Sequence, residues 1–431
     1  MIVRLLELAT ARTEAADVTL KTDETVTLLF EAGRLKSTSW SQEQGVNLRV
    51  LAGGRLGVAG STAATPDSVV EAALASAAIG EPVEFLLPAP APLPEVRTHA
   101  PAAAAASVAD LTALGQSLLE RLSHDGWQVN VTVERSAGSV RVANSRGVEA
   151  TYDVTTVLLA AEVTRVSGDD ILMVGDYHAA ADLPGEPVVA RLAESIGRRM
   201  RWAERAAPPP RGELPVLFTA AGSAALFLPL RQACQGKAVF QGISPLGGRI
   251  GERAFDPSLS LVDDPWVAGA PGSRAIDDEG VVTRRFPLVR AGVIAGFIYD
   301  LETAARAGVP ATGHARRSTF GKPQAAYSNL VAAPGDLSWE ELVARIPDGL
   351  IVDELIGVGQ GNVIGGAFSH PVALAYRVTD GEIVGRVKDA AVAGNAYELL
   401  SRISGLGRDI EWRGSMAMPP ILLEGVSVAP R

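Results

Sequence analysis

Between residues 226 and 242 the chain reads LFLPLRQACQGKAVFQG, a short helical stretch ending at Gly236 that carries Arg231, Gln232, Gln235 and the only cysteine, Cys234. A guanidinium, two amides and a thiol this close together are compatible with an active site, and equally with an ordinary half-exposed surface. Nucleophilic thiol chemistry needs a base and an orienting group beside the sulfur. A cysteine on a helix with apolar neighbours is more often a small packed side chain. A hydrolytic zinc site needs two or three imidazoles or thiolates on one ion, normally two of them paired on a helix, with a carboxylate to move protons. The five histidines, His99, His124, His178, His314 and His370, contain no such local pair.

Other stretches give bland readings beside sharp ones. Ser369 and His370 adjoin in GGAFSHP, but neighbours on a strand point to opposite faces, so this pair reads as part of a loop. GVGQGNVIGG, 357–366, lacks the Lys-Ser/Thr ending and following helix of a phosphate-binding loop, and reads as turns or close backbone packing. Asp263 and Asp264, and DDEG at 277–280, supply oxygens that suit a hard cation; on an acidic chain such clusters are usually solvated loops.

The elements that must position these residues fall into sections. To about residue 83, an amphipathic helical start gives way to period-two alternation in DVTLKTDETVTLLFEAGRLKSTSW and GVNLRVLAGGRLGVAGST, with Gly53 and Gly54 as a turn between antiparallel strands, and then a helix over 66–80. Residues 84–107 concentrate Pro and Ala without a period and read as an extended linker. A second section, 108–205, again predicts helix, strands and a charged helix at 187–205, so helix–strands–helix occurs twice. AAPPPRG at 206–212 marks a boundary, beyond which glycines at 292 and 381 separate strand-like runs as tight hairpins require. Ser338 with Glu341, and Asn395 with Glu398, have the spacing of helix caps. The expected fold is α+β: N-terminal helix/strand repeats, then a domain over 212–431 of mainly antiparallel sheet with helices.

A chain of 431 residues suggests two or three domains, and 47% hydrophobic with 20% charged residues is an ordinary globular profile. A formal charge of −10 disfavours nucleic-acid binding. One cysteine permits no internal disulfide, and charges at Arg4, Glu7 and Arg12 interrupt any secretory-signal core, so a cytoplasmic location without membrane spans is the default expectation.

Several later stretches together resemble the TldD/PmbA family: IDDEGVVTRRFPLVRAGVIAGFIYD, AGVPATGHARRS, YSNLVAAPGDLSWEELV, the run from GGAFSHPVALAYRV to IEWRGS, and PPILLEGVSVA, in family order across roughly 276–429. GVNLRVLAGGRLGVAGST and ANSRG are similar to the family's N-terminal signatures. The resemblance implies a two-part assembly. TldD-type subunits are zinc metallopeptidases with an H-E-x-x-x-H helix and a cysteine ligand near the C-terminus; PmbA/TldE-type subunits lack these ligands and pair with them around a chamber that admits unfolded peptides. Aligned on Gly236, the motif's histidines fall at Leu230 and Gln235 and its glutamate at Arg231. Leu binds no zinc, Gln replaces imidazole poorly, and Arg stays protonated and cannot act as a base. No histidine occurs between His178 and His314, and no cysteine follows Cys234, so this does not depend on the register.

The resemblance thus implies a non-catalytic subunit with no cofactor of its own, zinc being held by a TldD-type partner in a heterodimer, with unfolded peptide as substrate and a homodimer possible when alone. Thr312, Gly313, His314, Arg316 and Arg317 form a candidate partner or channel loop, although His314 as an internally satisfied loop histidine is the plainer reading. The alternatives are a stand-alone hydrolase using Asp277, Asp278 and Glu279 around a cation, or a self-assembling scaffold.

Overall fold

In the opening IVRLLELAT, the apolar residues Ile2, Leu5 and Ala9 fall on one face of helix α1 (Ile2–Thr10) and are buried there. From Ala15 the period changes to two, and the computed structural model, which describes residues 1–63 and 65–431, shows two long strands, β1 (Ala15–Glu31) and β2 (Arg34–Ala52), followed by β3 (Arg55–Ser61). Gly53 and Gly54 take φ of 57° and 69°, the left-handed backbone that a two-residue hairpin with the native strand twist demands. Helix α2 (Pro66–Ala78) is capped by Thr65 and packs Val69, Val70 and Ala73 with α1 against Val18, Leu48 and Val50.

The same sequence of elements then recurs. Helix α3 (Val108–Arg121), started by a reciprocal Ser107–Asp110 cap, precedes β4 (Gln128–Asn144), β5 (Glu149–Ser167) and β6 (Asp170–Ala180), and helix α4 (Glu186–Trp202) follows. The two sets meet in one antiparallel sheet of order β3-β2-β1-β4-β5-β6, with β1 and β4 paired from Asp17–Asn144 to Phe30–Val131. The Pro/Ala-rich segment between them is extended but fastened. Thr155 donates its N–H to the Thr98 carbonyl (3.0 Å), Ala100 donates to Thr155 Oγ1 (2.9 Å), and Leu87 is buried. A single helical turn, Pro101–Ala104, interrupts what the sequence reads as unbroken extended chain.

Beyond residue 211, β7 (Gly212–Phe218) leads into helix α5 (Ala224–Ala233). Helices α6 (Leu301–Ala307) and α7 (Trp339–Ala344) follow, then β8 (Asp348–Leu355), β9 (Ala367–Thr379), β10 (Glu382–Val387), β11 (Ala390–Asn395), α8 (Ala396–Leu400) and β12 (Ile421–Pro430). The order β8-β7-β12-β11-β9 returns to β8, which also pairs with β9, so five strands close on themselves. Alternate residues serve two cores: Phe218, Val352 and Leu423 pack with Leu226 and Leu230 of α5, while Leu217, Ile351 and Tyr376 pack with Leu192, Ile196 and Met200 of α4. A second sheet of short strands, including 261–263, 286–290 and 330–332, flanks this body. The fold is α+β with mainly antiparallel sheet, as expected.

The predicted caps form: Ser338 and Glu341 make both bonds of a capping box, and Asn395 Oδ1 accepts from the backbone of Tyr397 and Glu398. One local reading is corrected. Ser369 and His370 lie inside β9, paired with Ala393 and Val392, not in a loop. The long alternation through to Thr379 outweighs the preceding glycines.

Candidate functional site

The stretch 226–242 is not one helix ending at Gly236. Helix α5 ends at Ala233, Cys234 closes it, and a separate short helix spans Gly236–Phe240. The break is fixed by pairing: Ile298 donates to the Cys234 carbonyl (3.0 Å) and Gly236 donates to the Ile298 carbonyl (2.7 Å). Gly236 is required by contact, since a Cβ there would lie 2.1 Å from Tyr299 Cδ1.

Within α5, Leu230 is fully buried in the core. Arg231 places Nη1 3.4 Å from Met416 Sδ and its guanidinium 5.3 Å from the centre of the Tyr327 ring, and the Tyr327 hydroxyl donates to the Arg231 carbonyl (2.7 Å). Gln235, half-buried, lines with Gln232, Lys237, Asp300, Lys322 and Phe240 a cavity of mixed polarity of about 590 Å³. Cys234 is sealed from solvent, and burial pushes its thiol up to about 12, so it offers no thiolate at neutral pH. It packs.

The loop 312–317 turns inward. Thr312, His314 and Arg317 are buried, Gly313 is covered, and Arg316 is half-buried, so most of the loop's side-chain contacts are internal to the chain. Thr312 Oγ1 accepts from the Tyr299 N–H (2.7 Å) and lies 3.0 Å from the Tyr299 carbonyl, which ties the loop to the segment that holds the end of α5. His314 has Nδ1 2.8 Å from Thr312 Oγ1 and Nε2 3.1 Å from Asp263, with Phe286 edge-on to its ring. The histidine is held internally, with one hydrogen bond at Nδ1, while Nε2 faces Asp263 without making a hydrogen bond.

The acidic clusters are neither solvated loops nor cation sites. Asp263, Asp277, Asp278 and Glu279 are all buried. Asp278 accepts from Lys21 Nζ (2.7 Å) and the Arg317 N–H (2.8 Å); Asp277 accepts from the N–H groups of Ala315 (3.0 Å), Glu279 and Val281 (both 2.9 Å). Glu279 pairs with Arg49 and accepts from the Leu301 N–H (2.7 Å); Arg49 and Arg317 both pair with Asp17. Four N-terminal side chains, Asp17, Lys21, Asn47 and Arg49, therefore interlock with the C-terminal body, because buried charge is tolerated only when paired and hydrogen-bonded. Burial, with help from Asp277 and Asp300 and against Arg49, pushes Glu279 up to about 7. Among the described residues, no three His, Cys, Asp or Glu side chains are grouped so as to hold a metal ion.

Sequence reasoning missed a further cavity of about 850 Å³ between β5, β6 and the approach to α5, lined by Leu158, Glu162, Asp176, Arg199, Glu354 and Met416 among others. Its residues come from seven separate stretches, and the only local signal was Glu162 in the half-exposed register of β5.

Residues 211–430 match the family description "PmbA/TldA metallopeptidase C-terminal domain", and residues 16–77 match "PmbA/TldA metallopeptidase domain 1". The chain belongs to the PmbA/TldD family. A relative named "Metalloprotease" from Methanothermobacter thermautotrophicus is 28% identical over 412 residues, spanning 92% of this chain and 89% of its own. A "Metalloprotease TldD homolog" from Haemophilus influenzae is 31% identical over 158 residues, 36% of this chain and 33% of its own. In fold, TldE from Thermococcus kodakarensis superimposes with a TM-score of 0.90 at 24% identity, covering 99% of both chains.

A PmbA/TldD metallopeptidase implies a zinc ion, and the residues here do not fit one. A fully buried Leu230, an Arg231 held by Met416 and Tyr327, and a lone Gln235 supply neither ligand set nor general base. No helix is long and apolar enough to cross a membrane among the described residues.

Proposed function

We propose that this chain is a non-catalytic, PmbA/TldE-like subunit of a TldD-type zinc metallopeptidase complex that processes unfolded peptides, with the zinc and the bond-breaking residues supplied by the partner in a heterodimer. The observation that carries this reading is α5 itself. The helix keeps its place and packs Leu226, Phe227 and Leu230 into the core, while the three positions aligned with a zinc-peptidase motif hold Leu230, Arg231 and Gln235. The likeness to a chain named TldE, end to end, supports the same branch.

A surface for the partner is also on offer. The outer half of β2, from Arg34 to Gln44, is exposed and pairs only with β1, while β3 covers β2 only from Val46 onward; Trp40 is 61% exposed. An unpaired edge of this length is normally covered or blunted, and adding a strand of the TldD-type subunit would satisfy its backbone. Native mass spectrometry of this chain mixed with the TldD-type subunit of the same organism should show a heteromer that Thr38→Pro, which removes a donor on the free edge of β2, weakens. Only unassociated chains at micromolar concentration would count against the reading.

The cation-dependent hydrolase is not retained, since Asp277, Asp278 and Glu279 are committed to Lys21, Arg49 and backbone N–H groups.

A further inference from the structure

The 850 Å³ cleft has more negative charge than its own cations balance. Arg199 pairs with Asp353 (2.8 Å), which also accepts from Thr219 Oγ1 (2.9 Å), and Arg413 pairs with Asp176 (2.6 Å). These two arginines are matched by these two aspartates. Glu162, half-buried on β5, and Glu354, at the end of β8, remain: among the described residues neither carboxylate makes a hydrogen bond or an ion pair.

Three observations show that this excess points at a ligand. Asp176 is 4% exposed and lines the cleft, yet its Oδ2, 3.3 Å from Arg199 Nη2, accepts no hydrogen bond. Lost hydration within the cleft, Asp353 and Glu162 together hold Glu354 above the ordinary carboxylate range, despite Arg199 and Arg413. Glu162 lies between Gly175 on β6, which offers no side chain to cover its carboxylate, and Asn130 on β4, with which it makes no hydrogen bond. Most of the remaining lining is aliphatic or thioether, including Leu158, Ala160, Ala221, Ala224 and Met416, with Asn130, Thr132 and Tyr177 as its uncharged polar members. Apolar walls with unpaired carboxylates suit a cation on an alkyl stem, whereas a hydrated metal ion would gain nothing from the walls.

We propose that this cleft binds the alkylammonium or guanidinium end of a basic side chain in an extended peptide, with the stem against Leu158, Ala160 and Met416 and the charge against Glu162 and Glu354. The choice of a peptide over a free amine rests on the subunit reading above; the charge preference does not. The cleft would bias the complex towards peptides rich in lysine or arginine.

The test uses the purified full chain, titrated by calorimetry at neutral pH and low salt. The probes are a blocked alanine pentapeptide with a central lysine, its uncharged norleucine counterpart, and spermidine. The lysine peptide should bind about tenfold more tightly than the norleucine peptide, a preference that added salt reduces. Glu162→Gln with Glu354→Gln should bring the two within about twofold, and a melting curve checks folding, since neither carboxylate supports the structure through a recorded contact. Equal affinities, no binding, or a preference that survives the double substitution would overturn the cleft's role. Spermidine binding more tightly than the lysine peptide would overturn the peptide assignment. The same double variant should still form the heteromer with the TldD-type subunit. If the wild type forms none while lysine selectivity persists, the subunit reading fails and the cation site stands.

Discussion

At the scale of single residues, the buried charges divide into those that hold the molecule together and those left over. Asp17 bridges Arg49 and Arg317, and although burial opposes its ionisation, Arg317 and Arg49 outweigh that and hold it below the ordinary range. Asp17→Asn leaves two buried guanidinium groups short of a counter-charge and should cost about 3–5 kcal/mol in urea unfolding. The pH dependence follows in sign. A carboxylate with a folded pKa below its unfolded one contributes fully above the unfolded value, about 4, and loses that contribution as pH falls through the folded value. The acid limb of the stability profile should therefore flatten in Asp17→Asn. Leu230→Ala should cost about 2–5 kcal/mol by leaving a cavity in the core beneath α5. None of these partnerships was legible locally: DDEG reads as a solvated loop because the residues that neutralise it, Lys21 and Arg49, belong to strands at the other end of the chain.

At the scale of elements, local chemistry was a good guide wherever it was self-contained. The Gly53–Gly54 hairpin, the Ser338–Glu341 cap and the apolar stripe of α1 each depend on residues within a few positions of one another, and each formed as read. Where the deciding contact comes from elsewhere, sequence reading went astray. The helix at 226–242 stops at Ala233 because Ile298 pairs with Cys234 and Gly236, and the Pro/Ala segment is held down because β5 offers Thr155. Thr312 links this pairing to the loop behind it. Thr312→Val keeps the shape but leaves the Tyr299 N–H without its acceptor, and should cost about 1–3 kcal/mol. Thr312→Ser should recover most of that loss in the same unfolding measurement.

At the scale of the whole molecule, two copies of helix–strands–helix share one sheet, and a closed C-terminal strand assembly carries α5 where a zinc-peptidase motif would align. On the proposed reading, this arrangement lets a PmbA/TldD chain keep its architecture without a ligand set, because α5 is anchored in the core by Leu226, Phe227 and Leu230. The measurement that tests this most directly is zinc content by atomic emission, with peptidase activity assayed in parallel, on the purified chain alone and after mixing with the TldD-type subunit of its own organism. Neither stoichiometric zinc nor activity is expected in this chain alone, and both are expected in the mixture. Stoichiometric zinc with chelator-sensitive activity in this chain alone would contradict that expectation.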